Sequence, residues 1–509
     1  MSADSRASDP PPDRVRPYPG ARPALVLLLL INLFNYIDRQ VLAAVVKPIK
    51  ETFFGPKGMT AGGSTDHGAL MAIVNWFQHR LNFKPEDALI GLLGTAFMVV
   101  YMLGAPVFAR LAERRSRWML VGVGVVLWSL ASGASGLAPT FLALLLTRCL
   151  VGIGEAAYGP VAPAIISDLY PVKIRGQVLA WFYLAIPVGS ALGYVFGGWI
   201  AGSGIGDWGA GVLGARTESW RWAFYLVVVP GILLGVRSLF MREPPRGQAD
   251  LIPEPPAANT RQVPGICRPE DMGGTPVGWT KRSTRASRLP AKVRWRDYSI
   301  LLRTPSYVFC TLGMTAMTFA IGGIAFWMPY YLETRAGAPK SSTIIFGAIT
   351  ATAGLVATLL GGIVGDKLRA RFTGSYFLVS GAAMLAGFPV FLAVLRTPFP
   401  WIWVLIFLTC FCLFFNTGPT NTILANVSHP SMRAAAFALN IFVIHALGDV
   451  ISPVIIGLLN DRFHDMNKSF LVVGLTFLAA GVFWLLGARH LQRDTERAPR
   501  TLSEASLPA

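Results

Sequence analysis

Long apolar segments recur along the whole chain, and they restrict its possible folds more than any other feature. Each is about 20 residues long, which is the length an α-helix needs to cross the hydrocarbon core of a bilayer. Of the 509 residues, 53% are hydrophobic and only 14% are charged, whereas a soluble domain carries about 25% charged residues. The sequence therefore predicts an all-α integral membrane protein.

The apolar segments fall into two groups of six, separated by a polar stretch. The predicted spans cover 22–46, 88–110, 118–138, 140–170, 176–202 and 221–241, and then 306–334, 341–366, 373–395, 398–427, 432–460 and 468–490. These 12 transmembrane helices form two six-helix halves, 22–241 and 306–490. A disordered Pro-rich N-terminus (1–21), a linker rich in Pro, Gly, Arg and Lys (242–305) and a polar tail (491–509) are predicted around them.

The net charge of +18 comes from 45 Lys and Arg against 27 Asp and Glu. These basic residues cluster in alternate short loops, which predicts an inner (cell) membrane protein with both termini, the linker and the tail in the cytoplasm. The long outer loop, 47–87, is less regular in this respect, and its function is not indicated. No basic stripe with interleaved aromatics occurs, so a nucleic-acid partner is not expected. Four of the five cysteines lie in apolar segments and Cys267 lies in the linker, so neither a disulfide framework nor a metal site is predicted.

Two short loops at equivalent places in the two halves have the same charge pattern. ARLAERRSR lies between the second and third spans, and GGIVGDKLRAR lies between the eighth and ninth. In each loop an acid is followed by two bases: Glu113, Arg114 and Arg117 in the first, and Asp366, Lys367 and Arg371 in the second. This repetition predicts an internal duplication, as in transporters built from two six-span repeats, and makes both loops candidate gates.

The first span contains charged residues in NLFNYIDRQVLAAVV. A charge at mid-span costs about 2.5–3.5 kcal/mol, so it normally faces a partner or a water-filled cavity. Asp38 and Arg39 are neighbours, hence about 100° apart around a helix, and at least one should reach another helix. Asn32, Asn35 and Arg39 recur at helical spacing and give this span a polar stripe. A polar contact that only sets helix packing is the structural alternative.

The fourth span, TRCLVGIGEAAYGPVAPAIISDLY, supplies possible partners. Arg148 and Glu155 are seven residues apart and so share one helix face. The Arg148 guanidinium can hold a phosphate or carboxylate, and a desolvated Glu155 can act as a reversible proton acceptor. We expect the charges of the first and fourth spans to line one wet chamber, and a static ion-pair network is the alternative.

Three further features concern helix packing and the second half. Gly189, Gly193 and Gly197 are spaced four apart in the fifth span, which favours close contact with another helix. His445 and Asp449 are four apart in the eleventh span, just before a proline, and a structural and a functional role are equally open. Phe326 in the seventh span is a candidate for the substrate path, although packing is the commoner role of such aromatics.

Several stretches together resemble one family of membrane proteins. FNYIDRQVLA, RCLVGIGEAAYGPVAPAIISDLYP, AWFYLAIPVGSALGYVFGG and HALGDVISPVIIG are similar to the Spinster transporters of the major facilitator superfamily. The resemblance implies the major facilitator fold and alternating access, with lysophospholipids or sphingosine phosphate as substrates. It also implies a proton gradient as the driving force, with no cofactor. We expect membrane lipids as neighbours and a monomer.

The resemblance also implies residue roles. Asp38 and Glu155 match the protonatable carboxylates, Arg39 and Arg148 match their cationic counterparts, and His445 matches the family's histidine in the eleventh span. The candidate substrate-binding residues are Asn35, Arg39, Arg148, Tyr183, Phe326 and His445. The first acid-base loop departs from the pattern, with Ala109 where glycine is usual, Glu113 for aspartate and Ser116 for glycine.

The function predicted from these features is proton-coupled secondary transport of lysophospholipid-like or sphingosine phosphate-like lipids. The alternative within the superfamily is a carrier of another organic anion or a drug. A membrane-embedded enzyme is disfavoured, because the sequence shows no HExxH pair, no CxxC pair and no supported Ser-His-Asp arrangement.

Overall fold

The structure, a computed structural model, describes residues 18–55, 72, 75–76, 78–80, 84–170, 172–207, 218–246, 298–429 and 432–498. Most of the predicted disordered N-terminus, most of the linker with Cys267 and the end of the tail lie outside these residues. Regular structure in the described ranges is entirely helical, and twelve of the helices there are long and apolar enough to cross a membrane. The predicted fold class is confirmed.

The spans alternate in direction, so that the described chain ends, Tyr18 and Ala498, lie at the same end of the bundle. We call this the inner end and the opposite one the outer end. In the first half the spans are Ala21–Ala44, Glu86–Arg114, Arg117–Leu137, Phe141–Tyr158 with Val161–Leu169, Val172–Gly202 and Ser219–Leu239. In the second half they are Pro305–Thr334, Ser342–Arg369, Ser375–Val394, Ile402–Phe414 with Thr417–Val427, Arg433–Phe463 with a π-turn at His445–Asp449, and Met466–Gly487. We number them spans 1 to 12.

Shorter helical pieces also lie outside the spans. One follows span 1 directly at the outer end (Val46–Phe54) and is here named the outer helix; the sequence had suggested only a loop there. The others are Tyr298–Leu302, a 3-10 turn at Ala488–His490 and Leu491–Arg497. The outer helix is fixed to the first half, because Trp220 Nε1 donates to Thr52 Oγ1 over 3.0 Å and Phe53 packs edge-on against Phe141 at 6.2 Å.

Spans 4 and 10 occupy equivalent positions in the two halves, and each is broken near its middle. In span 4 the break lies between Tyr158 and Val161, at Pro160, which has no amide hydrogen to donate. In span 10 the Asn416 side chain donates to the Leu413 carbonyl over 2.7 Å and so satisfies a group left at the break. The shared interruption supports the internal duplication that the acid-base loops indicate.

The three regularly spaced glycines of span 5 make the predicted close contact with another helix, and that helix is span 1. A Cβ on Gly193 would lie 2.6 Å from the Ile37 carbonyl oxygen, and one on Gly189 would lie 2.7 Å from that of Leu33. Only glycine allows this approach, so these residues fix how closely spans 1 and 5 pack.

The two halves meet at the outer end, where span 5 contacts span 8 and span 2 contacts span 11. The Tyr194 hydroxyl donates to the Ala325 carbonyl over 2.6 Å, and Thr95 Oγ1 donates to the Val450 carbonyl. Gly91 lies directly beneath the backbone of Pro453. The structure is therefore closed at its outer end.

Candidate functional site

The adjacent charges of span 1 point to different helices, as their angular separation predicts. Asp38 Oδ1 accepts a hydrogen bond from Ser132 Oγ of span 3. Arg39 reaches span 4, where Nε lies 2.7 Å and Nη2 lies 2.5 Å from Glu155 Oε2. The ionisable groups of spans 1 and 4 therefore form one cluster, which we call the central charge cluster: Asp38, Arg39, Arg148 and Glu155.

Aromatic rings surround the Arg39 guanidinium. Its Cζ lies 4.9 Å from the centroid of Tyr36, 5.0 Å from that of Phe97 and 5.1 Å from that of Tyr101. A guanidinium is attracted to the faces of such rings, the more so when it is removed from water. Three rings and one carboxylate thus hold the charge of Arg39 in a defined place.

Arg148 is buried without the partners that Arg39 has. It is 1% exposed, lies 5.7 Å from the Phe97 ring centroid, and its Nε and Nη1 have no hydrogen-bond partner among the described residues. Asp38, 2% exposed, is close enough to Arg148 to interact electrostatically, but its Oδ2 is also unpartnered in the described part of the chain. Buried charges without hydrogen bonds are costly, so these atoms are available to a proton, a water molecule or a polar ligand group.

The polar stripe of span 1 divides into a packing residue and a cluster residue. Asn32 Nδ2 donates to the Phe182 carbonyl over 3.0 Å and thus ties span 1 to span 5. The buried Asn35 lies beside Glu155, and neither Asn35 Nδ2 nor Glu155 Oε1 has a well-formed hydrogen bond within the described residues. Asn35 therefore lies beside the central charge cluster and its role in substrate binding stays a prediction, whereas Asn32 has the structural role.

The expected wet chamber is not what this conformation contains. Glu155 is 1% exposed, like Arg148, and the Arg39 side chain is 16% exposed. The groups converge as predicted, but Asp38, Arg148 and Glu155 are buried, because spans 1, 3 and 4 pack over them while the outer end is closed. In this conformation solvent reaches Arg39, whereas access to Asp38, Arg148 and Glu155 requires these helices to move.

Two aromatic candidates differ in their surroundings. Tyr183 of span 5 is exposed, and its ring packs edge-on against Phe182 at 5.2 Å. Phe326 of span 7 is buried against Trp327, with ring centroids 5.2 Å apart, and lies over Gly94 of span 2. Phe326 thus lies in the contact between the halves, so its place in a substrate path stays a prediction.

His445 and Asp449 bond to each other rather than to the central charge cluster. His445 Nδ1 lies 2.9 Å and 3.0 Å from the two Asp449 carboxylate oxygens. Both belong to the π-turn of span 11, in the second half. The His445–Asp449 pair is therefore separate from the central charge cluster and lies in the other half.

The first acid-base loop is tied to two acids that sequence reasoning missed. Arg117 Nη1 pairs with Asp168 at the inner end of span 4, and Arg117 Nε lies 2.5 Å from Glu243 Oε1, just after span 6. Glu243 Oε2 also accepts from the Arg117 amide over 2.9 Å. The Arg114 side chain is exposed, and the side chain of Glu113 lies outside the described residues. The sequence did contain a signal for these partners, because spans 2, 4 and 6 each have an acid at or just after the inner end: Glu113, Asp168 and Glu243.

The second acid-base loop is built differently. Asp366 accepts a hydrogen bond from the Tyr376 hydroxyl over 2.8 Å, and Lys367 and Arg371 have exposed side chains. The two loops are thus alike in sequence but not in their contacts.

Sequence reasoning also missed the polar contacts that close the outer end, here named the outer latch: Lys50, Asp87, Asn460 and Asp461. Asp461 of span 11 accepts from the amides of Asp87 and Ala88 over 2.9 Å and 2.8 Å, and so caps the first turn of span 2. Asp87 in turn accepts from Lys50 Nζ and Asn460 Nδ2, both at 2.6 Å. Burial favours the neutral form of Lys50, but the Asp87 carboxylate outweighs it and raises the pKa of this lysine.

Comparison with known proteins identifies the family to which this chain belongs. The family model of the Major Facilitator Superfamily matches residues 28–453. Protein spinster homolog 1 of Homo sapiens is 32% identical over 512 residues, which cover 94% of this chain and 83% of the human protein. The chain belongs to the Spinster family. It is thus a multi-pass membrane protein of the superfamily, and the resemblance noted in the sequence is confirmed.

A second relative and a solved structure agree with this assignment. The Spinster chain is 29% identical to the sphingosine-1-phosphate transporter SPNS2 of Mus musculus, over 95% of its own length and 80% of the mouse protein. A solved bacterial homolog of the human lysosomal transporter Spinster, in an inward-facing and unoccupied conformation, superposes with a TM-score of 0.71 at 22% identity. The alignment covers 95% of this chain and 98% of that one, which confirms the fold.

Proposed function

We propose that this Spinster chain is a proton-coupled secondary transporter of single-chain lipids with a phosphate-bearing head group, working by alternating access. The observation that carries the proposal is the central charge cluster, in which Arg148 and Asp38 are buried with unpartnered polar atoms. A static ion-pair network would use these atoms in hydrogen bonds. The burial of these charges beside one another supports a site that exchanges protons and anions.

Charge pairing suggests how a proton is coupled to substrate movement. A proton on Asp38 removes the negative charge nearest Arg148 and leaves the guanidinium free to attract an anionic head group. A proton on Glu155 weakens its bonds to Arg39 Nε and Nη2. Because Arg39 is on span 1 and Glu155 on span 4, that step loosens the contact between these spans. Each proton thus changes which groups pair, and so biases the balance between conformations.

The substrate class is supported by the charge and by the relatives. An arginine attracts phosphate through its fixed charge and its N–H donors, and Arg148 has two donor atoms, Nε and Nη1, without a hydrogen-bond partner among the described residues. The mouse relative is named for sphingosine-1-phosphate, a lipid with one chain and a phosphate head. We propose a lysophospholipid or a sphingosine phosphate-like lipid as substrate, and a cell membrane location with both termini in the cytoplasm.

The test is transport of a labelled lysophospholipid in proteoliposomes with an imposed pH gradient. We expect uptake to follow the gradient, and we expect the Asp38→Asn, Glu155→Gln double variant to lose this dependence. Asp465→Asn and Glu496→Gln remove the same charges outside the cluster, at a half-buried and an exposed position, and serve as matched controls. Gradient-driven transport by the folded double variant would exclude the proton assignment.

A carrier of another organic anion is the second candidate, because Arg148 could bind any anion. A thermal-shift comparison of lysophospholipids with sugar phosphates distinguishes the two. We expect lysophospholipids to raise the melting temperature and Arg148→Gln to abolish the effect. Stabilisation by sugar phosphates alone would favour the second candidate.

A further inference from the structure

Spans 5 and 6 leave a groove between them on the lipid-facing side of the first half, because their glycines face different neighbours. The glycines of span 5 hold it against span 1. Span 6 lies against span 3, where a Cβ on Gly231 would lie 2.9 Å from Ser129 Cβ and one on Gly235 would lie 2.8 Å from Val126 Cγ2. The space that remains between spans 5 and 6 has a volume of about 520 Å³ and is bounded by span 1 as well. We call it the lateral groove.

Every described residue that lines the lateral groove is apolar. Ile37 of span 1 and Val227 of span 6 are buried and form its floor. Leu192 and Trp199 of span 5 and Leu226 of span 6 are exposed and form its walls. The groove is therefore a recess that opens toward the bilayer, and the apolar surface of the spans continues directly into it.

The lateral groove lies in the outer half of the membrane. Trp199 is three residues and Leu192 is ten residues before the end of span 5 at Gly202. At a rise of 1.5 Å per residue, the groove runs from about 5 Å to about 15 Å below the outer end of this helix. The hydrocarbon core is about 30 Å thick, so this depth corresponds to one leaflet. A tryptophan at the outer end of the groove is typical of the level where chains meet head groups.

We propose that the lateral groove binds one acyl chain of a phospholipid from the outer leaflet, as a resident lipid and not as cargo. Hydrocarbon is what the membrane offers at this depth, and an apolar recess that is left unfilled loses the dispersion contacts of its walls. Packing of this kind drives association inside a bilayer, because lipid tails are as apolar as the side chains they contact. The inference depends on the membrane location of the chain and not on its substrate.

The contact between spans 1 and 5 excludes the groove as part of the substrate path in this conformation. A Cβ on Gly197 would lie 2.7 Å from Ala44 Cβ, and the other two glycines of span 5 approach span 1 as closely. Backbones in such close contact leave no room for a lipid chain between them. A chain in the groove is therefore separated from the central charge cluster by span 1 itself.

This separation gives the bound chain a supporting role. Phe34 and Ile37 line the groove, whereas the residues that follow them, Asn35 and Asp38, lie beside and in the central charge cluster. Span 1 thus has the groove on one side and the cluster on the other. The acyl chain stabilises the position of the helix that presents Asp38 and Arg39.

The experiment is photo-crosslinking of the full chain in proteoliposomes that contain a trace of phosphatidylglycerol with a diazirine in the middle of one acyl chain. Labelled positions are mapped by mass spectrometry. We expect labelling of residues 192–199 and 226–230 to exceed that around Leu475 by about fivefold or more, which requires a preference of only about 1 kcal/mol. Leu475 of span 12 is exposed at a similar depth but lies outside the groove.

Two variants and a control make the test specific. Leu192→Trp and Leu226→Trp each place a larger side chain into the groove from an exposed wall, and labelling there should fall to the level around Leu475. Val229→Trp changes an exposed residue of span 6 outside the groove and should label as wild type. Added phosphatidylglycerol should raise the melting temperature of delipidated wild type and of Val229→Trp more than that of the two groove variants.

Three results would overturn the inference. Even labelling over the whole lipid-facing surface would mean that the groove holds only exchanging bulk lipid. Unchanged labelling in both groove variants, with folded protein, would place the probe elsewhere. Displacement of the label by an equimolar amount of lysophosphatidylglycerol would show that the groove binds cargo instead of a resident phospholipid.

Discussion

The outer latch offers the sharpest test of how the two halves are held together. Asp461 accepts two amide hydrogen bonds from the first turn of span 2. An acid of the second half thus caps a helix of the first half. We expect Asp461→Ala to shift the protein toward conformations that are open at the outer end. The cap exists only when the halves touch, so its loss affects only the closed state.

The size of the shift follows from the contacts that are lost. A cap at a helix N-terminus contributes about 0.5–2 kcal/mol, and a charged acceptor makes hydrogen bonds of about 1.5–3 kcal/mol. Repulsion between Asp461 and the nearby Asp87 carboxylate offsets part of this, which leaves about 1–3 kcal/mol. The ratio of open to closed molecules should therefore rise about 5- to 150-fold.

Pulsed electron-electron double resonance between spin labels at Leu137 and Trp401 measures this ratio of open to closed molecules. Both are exposed and lie at the outer end, one in each half. Asp465→Ala is the matched control, because Asp465 caps span 12 within a single half, where it accepts from the Asn467 amide over 2.9 Å. An unchanged distance distribution in Asp461→Ala, or an equal shift in Asp465→Ala, would refute the reasoning.

Three further predictions concern stability and pH. Arg117→Gln leaves two partly buried carboxylates without their guanidinium, which should cost about 3–5 kcal/mol and lower the melting temperature by several degrees, whereas the exposed Arg114→Gln should not. Gly193→Leu should prevent spans 1 and 5 from packing and abolish the folded peak in size-exclusion chromatography, while Gly202→Leu, with open space around it, should be tolerated. Because the pKa of Lys50 is raised, its ion pair with Asp87 is complete below the ordinary lysine value and is lost only as the pH rises through the raised one. Any change in the spin-label distances between about pH 7 and 9 should therefore be the same in Lys50→Met as in wild type, and a change that this variant lacks would contradict this.

The fold could be predicted largely from the sequence, because a bilayer imposes few choices. Backbone groups in lipid must be satisfied internally, so each apolar segment of sufficient length becomes a helix. The acid-base loops at Glu113 and Asp366 revealed the duplication, and the glycine spacing around Gly193 revealed the contact of span 5. These are local patterns, and their structural consequence is nearly independent of the rest of the chain.

The site was only partly predictable. The charges at Asp38 and Glu155 are costly in lipid, so their presence alone indicated a functional cluster. The sequence did not show which charges pair, because a helix can turn either side chain toward several neighbours. In the structure Glu155 pairs with Arg39, and Arg148 has polar atoms without a partner among the described residues. The burial of Asp38, Arg148 and Glu155 was likewise unexpected.

The outer latch shows most clearly which contacts could not be predicted from the sequence. Nothing near Asp461 in the sequence distinguishes it from an ordinary solvated acid at a helix end, and its partners Asp87 and Ala88 lie more than 370 positions away. Hydropathy, helix length and charge cost depend on neighbouring residues, so the sequence by itself determined the spans, the two halves and the family of carriers. Contacts between spans depend on how the helices rotate and dock, and only the tertiary structure decided the ion pairs, the closed outer end and the π-turn of span 11.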